Sequence, residues 1–290
     1  MKSETQHHRQ PGGVRAAAVV AGALGAGLIG GVEVKAQEAM YTAAATMPSP
    51  GVYVLRQQYH WFSYSSSPSE GTDRAQRLEV KSSLQYGLVK DLSLTLDVPV
   101  EYTSVKYANR QDTDDSVGVD DLDLTLKWRF YQNDPGGIDT IRIALLGGAR
   151  LRTEGRFSTD PHVGIVYTQV HDIHGFNAEA HYTFNTGSDP GTPNFGGKGD
   201  SDALNLNLAY VLRVFPITFT PESKSAWYVT AELNHLYEAN GDHELKFSPG
   251  LMYEGRRWGF EIMGQIPVYT RLNHRARQTF GIGIGWRYIF

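Results

Sequence analysis

Two short stretches of the sequence carry residues that could bind a metal ion. DTDDSVGVDD (112–121) is rich in aspartate, and carboxylate oxygens are the ligands that hard divalent cations prefer. HDIHG (171–175) holds two histidines, which are common ligands of transition metals. The first stretch lacks the ligand spacing of an EF-hand, and the second supplies no third ligand. We therefore predict a solvated outer loop and an exposed turn, with no metal and no cofactor.

Nucleophilic catalysis of the lipid-cleaving type would need a serine beside a histidine. His60, His181 and His235 lie in segments that look like strands, where residues two positions apart share a face. No serine stands two residues from any of them. Cysteine is absent from the chain, which excludes thiol nucleophiles, thiolate metal sites and disulfides. The sequence does not predict an enzyme.

Most charged side chains instead alternate with apolar ones, at the period of a β-strand. In DLDLTLKWRF (121–130), charged residues and threonine share one face, opposite leucine, tryptophan and phenylalanine. LSLTLDVPVEY (92–102), FNAEAHYTF (176–184) and ALNLNLAY (203–210) repeat the split. A soluble β-sandwich buries the apolar face, whereas an outer-membrane barrel turns it to lipid, so alternation alone leaves both folds open.

Turn residues divide the chain into segments of this kind, and tight turns alternate with longer polar loops, as in an up-and-down membrane barrel. The connection at 215–225 is an exception, because it is long where a short turn is due. An even number of strands places both termini at one end, on the periplasmic side. The predicted strands are 51–64, 75–88, 92–105, 117–132, 138–152, 162–171, 175–187, 201–213, 225–237, 244–254, 258–271 and 277–290.

The N-terminus has the pattern of an export signal. Basic residues precede AAAVVAGALGAGLIGGV (16–32), and small residues at 34 and 36 suit a signal peptidase. We predict a signal peptide at 1–36, a short periplasmic stub at 37–49 and a barrel at 50–290. The net charge of −4 offers no basic surplus for nucleic-acid binding.

The C-terminus favours the membrane barrel over the sandwich. In GIGIGWRYIF (281–290), Trp286, Tyr288 and Phe290 share a face and form an aromatic barrel-assembly signature. Trp128, Trp227, Trp258 and Trp286 fall at strand ends on the periplasmic side, and Trp61 falls near the opposite surface, as interface belts require. We predict an all-β fold, a 12-stranded antiparallel up-and-down transmembrane β-barrel in the outer membrane of a Gram-negative-type envelope.

In such a barrel the polar faces line the lumen. Both signs of charge occur there, which indicates either a network of ion pairs that props the wall or a constriction that recognises a solute. The predicted lumen and solute-pathway residues are Arg56, Asp97, Glu101, Asp121, Asp123, Lys127, Arg129, Arg142, Arg150, Glu179, His181, Glu232, Lys246, Glu261 and Arg287. Glu79, Lys81, Asp202 and Arg271, and the apolar Phe62, Tyr64, Tyr131, Leu146, Tyr228, Met252, Met263 and Tyr269, are further inward positions.

Six short motifs of this chain are shared with a known family. They are GVDDLDLTLKWRFY (118–131), LSLTLDVPVEYT (92–103), LLGGARL (145–151), FSPGLMYE (247–254), IPVYTR (266–271) and the terminal GIGIGWRYIF. Through them the sequence resembles the outer-membrane transporters named after the meta-pathway of phenol degradation. Where relatives commonly show Leu-Pro-x-Gly after the Gly-Gly of strand five, this chain reads Leu-Arg-Thr-Glu-Gly at 151–155. The resemblance implies passage of small aromatic or apolar molecules across the outer membrane.

The sequence thus predicts a channel that passes small solutes by passive diffusion through a charged lumen. The charged wall suits a polar solute at least as well as an apolar one. The expected partners are the solute, outer-membrane lipid and lipopolysaccharide, and the outer-membrane assembly machinery. Two alternatives remain open: a structural or adhesive barrel closed by salt bridges, and a secreted soluble β-sandwich that binds a ligand such as a carbohydrate.

Overall fold

The computed structural model describes residues 38–66, 71–109, 112–136, 138–153, 158–187, 195–220 and 222–290. The predicted signal peptide lies outside these ranges. No helix in the described part of the chain is long and apolar enough to cross a membrane. The β-strands are β1 (Tyr53–Ser65), β2 (Thr72–Val89), β3 (Leu92–Tyr107), β4 (Thr113–Val119), β5 (Leu122–Gly136), β6 (Asp139–Leu151), β7 (Thr159–His171), β8 (His174–Thr183), β9 (Ala203–Phe215), β10 (Ala226–Glu238), β11 (His243–Glu254), β12 (Trp258–Arg271) and β13 (Arg277–Ile289).

The strands close into one antiparallel ring. Neighbours in sequence pair with each other, and the ring shuts where β1 pairs with β13, as at Tyr59 and Ile284. Strand β3 pairs with β5 over its first half and with β4 over its second half, so β4 and β5 together form one strand of the wall. The wall therefore has twelve strands, which confirms the predicted barrel. The fourth predicted strand is interrupted at Asp120 and Asp121, where the pairing with β3 lapses.

Burial shows which face of the strands is inside. Leu124 and Ile284 are 43% and 52% exposed, whereas Lys127 is only 5% exposed. A sandwich core would reverse this order. The apolar stripe therefore faces outward, as predicted for contact with lipid, and the charged stripe surrounds the bore.

Two β-bulges change the predicted direction of single side chains. The register of β5 against β6 shifts between Arg129 and Tyr131, and that of β11 against β12 shifts at Lys246. A bulge adds one residue to a strand, and every residue beyond it then points to the opposite face. Tyr131 and Tyr269 were predicted to face the lumen, but they are 44% and 51% exposed. Arg271 lies beyond the second bulge and is also exposed rather than inward.

Aromatic side chains ring the barrel at the end that carries the tight turns. Trp128, Trp227 and Trp258 are exposed there, and the Trp227 ring lies 4.9 Å from that of Tyr253. The chain ends at the same place, because the Phe290 amide donates to the Tyr53 carbonyl at 2.9 Å. We refer to this as the turn end and to the opposite end as the loop end. An aromatic girdle of this kind is typical of a membrane–water interface.

Candidate functional site in the barrel lumen

An extended segment of the chain crosses the bore ahead of β1. We call residues 38–49 the plug segment. Its backbone is held by side chains from distant parts of the ring: Arg56 on β1, Lys127 on β5 and Thr168 on β7. Glu179 on β8 and Glu232 on β10 also contact it. Only a segment inside the barrel can reach strands on all sides of the ring, so the plug segment lies in the lumen.

The contacts of the plug segment are hydrogen bonds between wall side chains and its backbone. The Glu232 carboxylate accepts from the Tyr41 amide at 3.1 Å and from the Thr42 hydroxyl. Lys127 Nζ donates to the Ala44 carbonyl at 2.8 Å. The Ala45 amide donates to Thr168 Oγ1 at 2.8 Å. These bonds satisfy backbone groups that no neighbouring strand pairs, which is required of any peptide buried this deeply.

This position corrects the prediction that 37–49 forms a short periplasmic stub. The segment reads AMYTAAATMPSP from residue 39, with no charged side chain. Ala44 and Ala45 are completely buried, and small side chains of this kind let the backbone approach the charged wall closely. Opposite it, Gly283 of β13 leaves room for Met40, because a Cβ there would lie 2.4 Å from Met40 Sδ.

A second segment closes the bore at the loop end. We call residues 195–201 the lid loop. Lys198 forms ion pairs with Glu101 and Asp120, and Arg150 donates to the Gly197 carbonyl at 3.0 Å. The Gly197 amide in turn donates to Glu238 Oε1 at 3.0 Å. The lid loop is thus tied to opposite sides of the ring.

Two glycines allow the lid loop to lie against the wall. Gly196 and Gly197 have φ values of +108° and +75°, which only glycine adopts without strain. A Cβ at Gly196 would also meet Leu236 Cδ2 at 2.9 Å. Next to them the Phe195 ring packs on Tyr64, with centroids 4.6 Å apart. The loop is therefore packed into the mouth of the barrel.

Two cavities lined by described residues lie between and around these two segments in the lumen. The turn-side cavity, of about 340 Å³, is lined by residues that include Arg56, Asp97 and Lys127. The loop-side cavity, of about 300 Å³, is lined by residues that include His60 and Lys246. Met40, Tyr41 and Lys81 line both cavities. The plug segment at Met40 and Tyr41 is therefore the partition between two spaces stacked along the bore.

The charges of the lumen are arranged in pairs. Arg56 donates to Glu261 at 2.8 Å. Arg77 bridges Glu79 and Glu101. Lys246 lies 3.4 Å from Glu244, and Arg287 pairs with Glu254. Pairing of this kind is expected, because a buried charge without a partner is costly.

A short chain of hydrogen bonds joins three lumen residues on β5, β7 and β8, and it reaches across the intervening β6. His162 Nε2 lies 3.2 Å from Asp123 Oδ2, and His162 Nδ1 lies 2.9 Å from His181 Nε2. Thr125 donates to the same aspartate at 2.6 Å. Within the described residues, no group of three or more histidine and carboxylate side chains is placed to hold a metal ion. The chain of bonds orients the two imidazoles at the edge of the turn-side cavity.

The predicted lumen residues occupy the inner rows of their strands, although they do not form one site. Asp121 is buried near Arg150 and Arg152 at the loop end. Arg129 is at the turn end, where it donates to Asp91 at 2.9 Å. Arg56, Asp97, Asp123, Lys127, Glu179, His181 and Arg287 line the turn-side cavity, and Lys246 lines the loop-side cavity. Glu101, Arg142, Arg150, Glu232 and Glu261 make the ion pairs and hydrogen bonds around them.

Several buried ionic groups were missed because they lie at the edges of predicted strands or in predicted loops. Arg275 is completely buried and donates to Glu238 at 2.7 Å and to Glu244 at 3.2 Å. Arg152 pairs with Asp160 at 2.9 Å beneath the lid loop. We expected the charged residues of loops to face solvent, so the sequence did not predict that these side chains point into the lumen. The lack of charge in 39–49 was the available signal for the plug segment.

The two stretches with metal-ligand residues have other roles. Residues 113–119 of the acidic stretch form the exposed strand β4, so the predicted strand at 117–132 starts four residues earlier and only 113–116 were wrongly predicted as loop. His171 pairs with Asp139 at 2.9 Å, and His174 bonds to the Tyr210 hydroxyl at 2.6 Å. The long connection after β9 packs against the turn end of the barrel. There the Arg213 guanidinium carbon lies 4.3 Å from the centroid of the Phe219 ring.

Comparison with known proteins identifies the type of barrel. No family model matches the chain, and no curated protein matches it in sequence. The fold is similar to that of an outer-membrane channel from Pseudomonas putida F1, with 11% identity and a TM-score of 0.55, covering 86% of this chain and 98% of that one. It is also similar to the β domain of the Bordetella autotransporter BrkA, with 11% identity and a TM-score of 0.50, covering 84% and 100%. The chain therefore has the fold of an outer-membrane barrel, whereas the resemblance to the phenol-degradation transporters stays a prediction.

Proposed function

We propose that this protein is an outer-membrane channel that passes small solutes by passive diffusion. The observation that carries the proposal is the pair of cavities stacked along the bore, with Met40 and Tyr41 as their partition. A barrel that served only as a scaffold could fill this space with side chains. Here the bore contains room for solute on both sides of a thin partition.

The partition is of a kind that can move. The plug segment is held by hydrogen bonds from side chains such as Glu232 and Lys127, and it forms no part of the hydrogen-bonded ring. The ring is closed without it. Displacement of the plug segment would join the two cavities while leaving the wall intact, which supports a channel that opens when this segment moves.

The outer surface fits the proposed location. An apolar band of residues such as Leu124 and Ile284 would contact lipid and lipopolysaccharide, and the girdle containing Trp128 would sit at its border. The C-terminal aromatics Trp286, Tyr288 and Phe290 would serve recognition by the assembly machinery. The similarity to a Pseudomonas outer-membrane channel supports this location and the channel activity.

The experiment is solute-dependent swelling of proteoliposomes that contain refolded protein with and without residues 38–47. Removal of the plug segment should increase the swelling rate, because it removes the partition, and Lys198→Met, which frees the lid loop, should increase it further in the shortened barrel. Heat-modifiable migration in electrophoresis verifies that the shortened barrel is folded. A folded barrel that admits no solute in either form would overturn the proposal.

A closed structural barrel is the second candidate, and the paired charges of the lumen favour it. Arg77 with its two glutamates, and Arg275 with Glu238 and Glu244, brace the loop end from within. Such a barrel would stay impermeable without the plug segment. It would conduct only after the interior pairs themselves were neutralised, which separates the two candidates in the same assay.

A further inference from the structure

The loop-side cavity has a chemistry that selects among small solutes. We infer that it is a binding site for a neutral, polyhydroxylated solute about the size of a monosaccharide. This inference rests on the proposed channel function and names the class of solute that the channel would hold. It differs from the aromatic or apolar solute that the family resemblance implies.

The charges around the loop-side cavity are already neutralised by the protein. Arg77 is bound by Glu79 and Glu101, and Lys246 lies 3.4 Å from Glu244. Lys81, which also lines the cavity, lies 3.9 Å from Asp97. An incoming anion would have to compete with these carboxylates for each cation. A cationic solute would have to compete with Arg77 and Lys246 for these carboxylates. The cavity therefore offers little net charge to an ionic solute.

Neutral polar groups remain available. Five amide side chains line the cavity, namely Asn205, Asn207, Asn234, Gln265 and Gln278. Four of them already bond to neighbours, since Asn207 donates to Glu179, Asn234 donates to Asn207, and Gln278 donates to Gln265. The Asn205 amide forms no hydrogen bond with another described residue, and the buried Tyr41 Oη and His60 Nε2 atoms also have no partner there. Amides, hydroxyls and imidazoles both donate and accept, as the hydroxyl groups of a polyol do. An apolar solute would leave these groups unsatisfied, at the cost of their desolvation.

One side of the same cavity is aromatic. Phe62 and Tyr64 line it from β1, and Phe195 closes it from the lid loop. The Arg77 guanidinium lies 5.8 Å from the ring centroids of Phe62 and Phe195 and covers part of this aromatic side. The ring surface that is left would pack against the C–H side of a sugar ring while amides of the cavity bind its hydroxyls. The cavity of about 300 Å³ holds roughly ten waters. A solute with about a dozen non-hydrogen atoms would replace them, which is the size of a hexose.

The test is equilibrium binding to refolded full-length protein in detergent, measured by saturation-transfer NMR with three probes: glucose, inorganic phosphate and phenol. Glucose should give a saturable signal, whereas phosphate and phenol should not. Binding does not depend on permeation, so the inference can fail while swelling succeeds, and the channel proposal can fail while glucose still binds.

The variant Asn205→Leu removes one unpartnered amide from the loop-side cavity. It should weaken glucose binding about fivefold, as expected for the loss of one hydrogen bond to a neutral group. The matched control is Gln85→Leu, which makes the same kind of change in the turn-side cavity and should leave glucose affinity unchanged. Phenol or phosphate binding that exceeds glucose binding would overturn the inference. Glucose binding that responds only to Gln85→Leu, or no saturable glucose signal, would also overturn it.

Discussion

Lys127 of β5 donates hydrogen bonds from Nζ to two carbonyl oxygens of the plug segment, at 2.8 Å to Ala44 and at 3.3 Å to Thr46. The same ammonium lies 3.9 Å from Glu38. A single wall residue thus holds the plug segment at several points along its length. Because the donor is charged, these bonds are stronger than neutral ones and are sensitive to its removal.

Replacing Lys127 should therefore loosen the plug segment without opening the wall. In Lys127→Met the alkyl chain is largely kept, but both hydrogen bonds are lost. Amide hydrogens of residues 39–46 should exchange with solvent about tenfold faster, while amides of the β-strands stay protected. Hydrogen exchange followed by mass spectrometry measures both. Lys224→Met, at an exposed turn lysine, is the control, and equal exchange in both variants would refute the anchoring role of Lys127.

Obstruction of the bore by two separate segments predicts a cooperative effect on permeation. Lys198→Met removes the ion pairs of the lid loop with Glu101 and Asp120. If the lid loop and the plug segment obstruct the bore in series, either single variant leaves one obstruction in place. The double variant Lys127→Met, Lys198→Met should then increase liposome swelling by more than the product of the two single effects. Strictly multiplicative effects would show that the two segments act independently.

The outward direction of the apolar stripe can be tested by placing a charge on it. Leu208 lies mid-strand on β9 and faces outward. Leu208→Arg should lower the free energy of unfolding by about 2–4 kcal/mol in lipid bilayers, because the guanidinium would face hydrocarbon. Leu208→Ala is the control and should cost much less. Equal costs for arginine and alanine would mean that the residue does not face lipid.

Asp242 joins two loops at the loop end and gives them a pH dependence. Burial favours its neutral form, but amide donation from Asn273 and His274 outweighs this, so the pKa of Asp242 lies below its ordinary value. A lowered carboxyl pKa stabilises the fold at neutral pH, and this contribution is lost as the pH falls through the folded-state value. Limited proteolysis at 239–242 should therefore be slow at pH 7 in wild type and faster in Asp242→Asn. As the pH falls below the ordinary aspartate value the difference between the two should narrow, and a difference that does not narrow on acidification would contradict the assignment.

Prediction from the sequence succeeded where a local pattern decides the structure. Alternation along DLDLTLKWRF predicted both the strand and its two faces, because successive side chains of a strand point to opposite sides of the sheet. It failed for Tyr131 and Tyr269, because a single-residue bulge moves the following side chains to the opposite face of the sheet. The pattern of hydrophobic residues does not show where such a bulge lies. The sequence therefore predicted the wall and most inward residues, but not the exceptions near strand ends.

The contents of the bore were harder to predict, because they depend on distant parts of the chain. Tyr41 and Glu232 are 191 positions apart, and no local pattern pairs them. The lid loop depends likewise on Lys198 meeting Glu101 across the mouth. A segment of small, uncharged residues such as 39–49 looks like a linker until a charged lumen surrounds it.

The most direct test of the gated channel uses the absence of cysteine from the chain. The Ala45 amide lies 2.8 Å from Thr168 Oγ1, so cysteines at these two positions should form a disulfide that fastens the plug segment to β7. Swelling of proteoliposomes containing Ala45→Cys, Thr168→Cys should be absent when the pair is oxidised, and it should return to the wild-type rate on reduction. Equal swelling before and after reduction, with the disulfide verified by mass spectrometry, would contradict the account.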